Sequence, residues 1–142
     1  MTIAAILQTK GGEVISVRPD QSVAEVVALL AARRIGAVPV IGDGAVLGVF
    51  SERDLVALLG SGEPAAMEQT VDAVMTAPAV TVAPDDAVMG ALSLMTRRRI
   101  RHLPVVADGR VIGLVSIGDL VKYRIERIEA DAAAMRDYIQ QA

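Results

Sequence analysis

Ser51-Glu52-Arg53-Asp54 and Ser116-Ile117-Gly118-Asp119 each place a hydroxyl and a carboxylate three residues apart, directly after an apolar, β-branched run. At the start of a helix this spacing has two uses. The serine can cap the helix while the aspartate returns to the serine's own amide, a capping box with Asp in place of the usual Glu. Alternatively, the helix N-terminus and hydroxyl attract a phosphate, and the carboxylate accepts hydrogen bonds from the vicinal hydroxyls of a ribose. Capping alone accounts for either copy. A second element precedes each one: Gly36-Ala37-Val38-Pro39 and Arg101-His102-Leu103-Pro104. Proline lacks an N–H and belongs at a strand start or a sheet edge. Beside it, apolar side chains and free backbone groups can grip a flat base. Both elements together, twice and at one spacing, are more specific than either alone.

The spacing recurs because the chain is a tandem duplication. Shifted on itself by about 65 positions without a gap, residues 17–55 lie on residues 82–120 with just under half identical. The identities include Pro19/Pro84, Asp20/Asp85, Arg33/Arg98, Arg34/Arg99, Pro39/Pro104, Gly48/Gly113, Ser51/Ser116 and Asp54/Asp119. Most are turn, cap and polar residues, so more than a hydrophobic pattern is shared. Each unit reads β-α-β-β-α. A short strand (Val14 to Val17, Ala79 to Val82) stops at Pro-Asp. Val23, Val26, Val27 and Leu30 then recur at helical spacing. A hairpin turns at Gly42-Asp43-Gly44 and at Asp108-Gly109. A second helix begins at Ser51 and Ser116. The fold class is α+β, with the first repeat and its lead-in at residues 1–60, a linker and lead-in helix at 61–76, the second repeat at 77–124 and a helical extension at 125–142. Gly60-Ser61-Gly62-Glu63-Pro64 opens the linker, and Asp72 to Met75 reads as the short helix. Along the last helix, from Asp119 to the C-terminus, Val121, Ile125, Ile128, Ala132, Met135 and Ile139 alternate four and three apart. That is coiled-coil spacing, and it suits either packing on the chain's own domain or a homodimer contact.

Composition narrows the function. A unit of about 60 residues buries too little surface to stand comfortably alone, so the two repeats are expected to share one core. The chain is 53% hydrophobic and 2% aromatic, so that core is aliphatic and ring stacking is a poor binding device here. A net charge of −3 gives no general attraction to nucleic acid or to an anionic membrane, and any anion site must be local. Without cysteine and with one histidine, His102, thiolate and histidine metal centres are not expected. The apolar stretch Ile3 to Leu7 is too short for a signal sequence, and the expected location is cytoplasmic. There is no phosphate-loop motif, no glycine-rich dinucleotide turn and no serine with a plausible base. The chain is not expected to be an enzyme or to carry a catalytic cofactor.

With both elements present in both repeats, the chain resembles a pair of cystathionine β-synthase (CBS) domains, the Bateman module, over nearly its whole length. That resemblance implies a cleft between two pseudo-symmetric repeats, commonly holding an adenosine compound. Gly36, Ala37, Val38 and Pro39 with Ser51, Arg53 and Asp54 would line one cleft. Arg101, His102, Leu103 and Pro104 with Ser116 and Asp119 would line the other. It further implies that Asp54 and Asp119 hold ribose hydroxyls, that apolar strand-start residues flank adenine, and that Ile15-Ser16 and Val80-Thr81 offer backbone to the base edge. The implied function is a regulatory module binding AMP, ADP, ATP or NAD, an energy or redox sensor acting through a homodimer or a separate effector protein. The alternative is a ligand-free oligomerisation protein. Arg101 in place of Gly36 and Gly118 in place of Arg53 make the clefts unequal. Arg97, Arg98 and Arg99 add positive charge near a helix end, favoured by the macrodipole. His102 suits either a ligand contact or a satisfied, partly buried position. Lys10 reads as part of a flexible loop, with approach to a phosphate as the other option.

Overall fold

The computed structural model describes residues 1–141. Its elements are α1 (Ile3–Lys10), α2 (Val23–Arg33), β1 (Ala37–Gly42), β2 (Ala45–Ser51), α3 (Glu52–Gly60), a 3-10 turn (Ala66–Glu68), α4 (Val71–Val74), α5 (Val88–Arg98), β3 (His102–Ala107), β4 (Arg110–Ser116) and α6 (Ile117–Gln141). Ala142, the last residue of the expected helical extension, lies outside the described residues.

The two hairpins are near copies. Asp43-Gly44 and Asp108-Gly109 take positive φ at both positions, 51° and 78° in one turn and 52° and 76° in the other. That pair is what a two-residue turn needs to match the twist of its strands. In β1–β2, Val40 faces Gly48 while Ile41 faces Val46, so Leu47 is an extra, bulged residue. In β3–β4, Ile112 has the same place between Gly113 and Val111. Both bulged side chains are exposed. Helices α2 and α5 bury Val23, Val26 and Leu30 in one repeat and Val88, Ala91 and Met95 in the other, the three-to-four spacing of one helical face. Both end on a left-handed arginine, Arg34 (φ 54°) and Arg99 (φ 55°). For a residue with a Cβ that conformation costs about 1–2 kcal/mol.

The expected first strands shrink to single bridging residues. Val17 donates to the Pro39 carbonyl (3.1 Å) and accepts from the Ile41 amide (2.9 Å). Val82 does the same with Pro104 (3.0 Å) and Val106 (2.8 Å). Proline explains the truncation: Pro19 and Pro84, two residues on, have no N–H with which to extend a ladder. At Pro39 and Pro104 the bridge uses only the carbonyl, so the missing N–H costs nothing there.

The expectation of one shared core is also corrected, because two form. The first gathers Val17, Val23, Val26, Leu30, Val38, Val40, Phe50 and Val71. The second gathers Ile3, Ile6, Val82, Val88, Ala91, Met95, Leu103, Val105, Val115 and Leu120. Each core takes its closing residues from the lead-in of the other repeat. Helix α1 at the N-terminus covers the second core, with the Ile3 amide on the Asp86 carbonyl (3.0 Å) and the Ala4 amide on the Pro84 carbonyl (2.8 Å). Helix α4, just before the second repeat, covers the first core, with the Val71 amide on the Gln21 carbonyl (2.8 Å) and the Val23 amide on the Gln69 carbonyl (2.8 Å). Those bonds satisfy helix-start amides that have no partner within the helix.

Phe50 is the single phenylalanine of the chain and is fully buried in the first core. Phe50→Ala is expected to cost about 3–5 kcal/mol, because so few large side chains stand near enough to refill the space. Urea unfolding should show a lower midpoint at an unchanged slope; a cost below about 1 kcal/mol would show that this core is loosely packed.

Candidate functional site

Where β2 runs into α3, the Ser51 hydroxyl takes the helix N-cap and a capping box closes around it. The Asp54 amide donates to Ser51 Oγ at 3.4 Å, and the Ser51 amide donates to Asp54 Oδ2 at 2.8 Å. The Ser51 hydroxyl also donates to Asp54 Oδ2 at 3.1 Å. The second repeat forms the same pair of bonds, Asp119 amide to Ser116 Oγ at 3.1 Å and Ser116 amide to Asp119 Oδ2 at 2.9 Å. Capping does not exhaust these carboxylates. Asp54 Oδ1 accepts from Thr76 Oγ1 at 2.7 Å, which leaves one of about four acceptor directions of the carboxylate open.

A cavity of about 280 Å³ opens beside Asp54. The first repeat lines it with Gly36, Val49, Ser51, Glu52, Arg53 and Asp54, and the segment after α4 adds Thr76, Pro78, Ala79 and Val80. The second repeat contributes Arg99, Ile100, Arg101 and His102. The expected division of residues between clefts is therefore corrected. Arg101 and His102 join the cleft of Ser51 and Asp54, because the starts of β1 and β3 face one another across the pseudo-dyad. A Cβ on Gly36 would lie 3.5 Å from His102 Nε2. Val38, Pro39, Leu103 and Pro104 are buried, as is Ala37, and none of them lines this cavity. Ile15 packs at the edge of the first core, while Ser16 and Thr81 are exposed and away from the cavity lining.

Three guanidinium residues, Arg53, Arg99 and Arg101, and two carboxylates, Glu52 and Asp54, border the cavity. Arg53 donates to the Arg99 carbonyl at 2.6 Å, tying the first turn of α3 to the left-handed end of α5. Of the basic run, Arg97 and Arg98 occupy the last turn of α5, where the macrodipole favours them, and Arg99 reaches the cleft. Sequence reasoning passed over Val49, Glu52, Thr76, Pro78, Ala79 and Ile100 as site residues. Thr76 carried one signal, its position immediately after the lead-in helix.

Around Asp119 the surroundings differ. Lys10, expected in a flexible loop, is the last residue of α1. Its ammonium donates to Asp119 Oδ2 and to the Leu114 carbonyl, each at 2.7 Å. Burial disfavours ionisation of Asp119, but hydrogen bonds from Lys10 and Ser116 and the Lys10 charge outweigh it and hold the carboxyl below its ordinary pKa. Burial lowers the pKa of His102, with Lys10 and Arg101 adding to the effect and Glu52 and Asp119 partly opposing it. One imidazole thus feels charges from the cavity beside Asp54 and from the Lys10–Asp119 pair. Among the described residues no cluster of His, Asp or Glu has the arrangement of a metal site, and no helix is long and apolar enough to cross a membrane.

The CBS domain family model matches residues 5–61 and 71–126. The chain belongs to the CBS domain family. It is a CBS pair similar to the CBS domain-containing protein YhcV of Bacillus subtilis, 28% identical over 92% of this chain and 93% of that one. The CBS-domain containing protein ATU1752 from Agrobacterium tumefaciens has the same fold, with a TM-score of 0.82 and 40% identity over 87% of this chain and 92% of that one. The CBS domain pair of protein MJ0100, solved in complex with 5′-methylthioadenosine and S-adenosyl-L-methionine, matches at a TM-score of 0.79 and 22% identity, covering 89% of this chain and 98% of that one.

The lowered pKa of His102 sets a pH dependence. Below its ordinary value near 6.5 the unfolded chain takes up a proton that the folded chain resists, so stability is present above that pH and is lost as pH falls through the folded value. The Asp119 contribution is lost in a separate, more acidic window, as pH falls below the ordinary carboxylate range. Melting at about pH 7.5 and about pH 5.5 should show a larger drop for the native chain than for His102→Asn. Equal drops would place the proton uptake elsewhere.

Proposed function

We propose that this CBS pair is a regulatory module that binds an adenine nucleotide, AMP, ADP, ATP or NAD, in the cleft beside Asp54. On this reading it works in the cytoplasm as an energy or redox sensor. The observation that carries the reading is Asp54, with one acceptor direction unfilled, on the lining of a cavity edged by Arg53, Arg99 and Arg101. A carboxylate fixed by its own helix cap is rigid enough to receive ribose hydroxyls, and guanidinium groups suit the phosphates beyond. With no Phe, Tyr or Trp among the lining residues, the adenine would lie against aliphatic groups such as Val80 and Ile100. The pair crystallised with two adenosine compounds supports the ligand class, since it shares this fold.

Output from such a site needs a second state with a different affinity for the nucleotide. Self-association supplies one. Val121, Ile125, Ile128, Met135 and Ile139 on α6 are 42–64% exposed, so the heptad stripe does not pack on its own domain. A second copy of the chain, presenting the same stripe, would cover it as a homodimer; a separate effector protein is the other route. A ligand-free oligomerisation protein would show the stripe but no saturable binding.

Calorimetric titration with AMP, ADP, ATP and NAD tests the ligand. Asp54→Ala is expected to weaken binding roughly tenfold to hundredfold, as the loss of charge-assisted ribose contacts worth about 1.5–3 kcal/mol implies. Unchanged affinity would remove Asp54 from the site, and silence across the panel would leave the oligomerisation protein as the better account. Deleting the chain after Tyr123 tests the stripe: solution mass should fall to that of a monomer, and an unaltered oligomer would place the interface elsewhere.

A further inference from the structure

Helix α6 carries more than an exposed apolar stripe. The stripe lies well round the helix from Leu120 and Tyr123, by which α6 packs on the second core, so a second helix can lie along it without displacing either. The residues that flank it are charged and alternate in sign along the helix: Lys122 and Arg124, then Glu129 and Asp131, then Arg136. Among the described residues none of the five forms an ion pair within the chain, although Glu126 lies four positions from Lys122 and Arg127 four positions from Asp131. In heptad terms Ile125, Ala132 and Ile139 take position a, and Val121, Ile128 and Met135 take position d. Arg124 and Asp131 then fall at g, and Lys122, Glu129 and Arg136 at e, the positions that set orientation in a coiled coil.

We propose that α6 forms a parallel, in-register coiled coil with a second copy of this chain, its orientation selected by these flanking charges. The inference rests on the reading of the stripe as a homodimer contact and is independent of the nucleotide reading. In the parallel pair Arg124 of one copy faces Glu129 of the second, and Asp131 faces Arg136; the two-fold axis repeats both contacts. In an antiparallel pair that covers the whole stripe, Glu129 meets Glu129, Asp131 meets Asp131 and Lys122 meets Arg136, each a like pair. Antiparallel registers slipped by a heptad bring opposite charges together, but they leave either Met135 and Ile139 or Val121 and Ile125 of each copy uncovered. Only the parallel arrangement matches the full stripe and the charges at once. It sets both modules side by side at one end of the coil.

The chain has no cysteine, so single substitutions report the geometry cleanly. Under mild oxidation Ala132→Cys and Ile139→Cys should each give a covalent dimer, because position a faces its own counterpart in a parallel pair. In the antiparallel pair that covers the stripe, Ile139 lies opposite Val121, about 27 Å from its counterpart and beyond the reach of a disulfide. Sedimentation of the reduced variants checks that each still self-associates. A charge exchange leaves the apolar contact intact: Arg124→Glu should weaken the dimer of the full chain roughly three- to thirtyfold, and adding Glu129→Arg should restore it. In every antiparallel register above, the second substitution adds a like pair instead. A dimer that forms without an Ile139→Cys cross-link, no weakening by Arg124→Glu, or a weakening that Glu129→Arg fails to rescue overturns the parallel arrangement while leaving the stripe as the contact. A native chain that sediments as a monomer, or a dimer that survives deletion after Tyr123, would instead defeat the homodimer reading of the stripe, and this inference with it.

Discussion

Burial of Ile3, Ile6 and Val71 is the interaction on which the remaining architecture depends. Each hairpin-and-helix layer leaves an apolar face that its own repeat does not cover, and each is closed by a short helix from the other repeat's lead-in. The exchange is reciprocal, so neither repeat has a complete core by itself. Covalent connection makes the exchange intramolecular, replacing subunit concentration by a high local concentration of the missing helix. It also delivers Thr76 and Lys10 to the two aspartates, since Lys10 ends α1 and Thr76 lies two residues past α4.

The cleft inherits its rigidity from the same economy of parts. Ser51 and Asp54 satisfy the free end of α3 and, in doing so, fix a carboxylate on the lining of the cavity. The left-handed Arg99 ends α5 and turns its carbonyl to Arg53, so the strained residue also clasps the neighbouring repeat. Capping and ligand recognition are not competing explanations for such residues. One oxygen of Asp54 serves the cap and the other accepts from Thr76, and the residue lines the cleft.

Much of this was legible in the sequence, for local reasons. The Asp-Gly pairs announce turns with two positive φ values, the S-x-x-D spacing announces helix starts, and the three-to-four recurrence in α2 and α5 announces their buried faces. What stayed hidden is long-range. Ile3 to Leu7 reads only as a short apolar stretch, and nothing near it says that it forms a helix packed on residues some eighty positions later. Gly36 and His102 belong to different repeats, and only the pseudo-dyad brings them together, so the sequence assigned their motifs to separate clefts. The short first strands were overestimated because β-branched residues set a propensity while the following proline sets the length. Lys10 carried no local mark of its partner, as its contact with Asp119 depends on the same exchange.

Helix α6 brings a mechanical consequence. At 25 residues it is about 37 Å long, comparable with the width of a small domain, and its buried anchor is Leu120, close to its start. Tyr123 packs against the second core, and most of the helix beyond it is exposed. The helix is therefore a lever with its fulcrum beside Asp119. A tilt of about ten degrees at that root would sweep the far end through roughly 6 Å, a displacement larger than one helical turn.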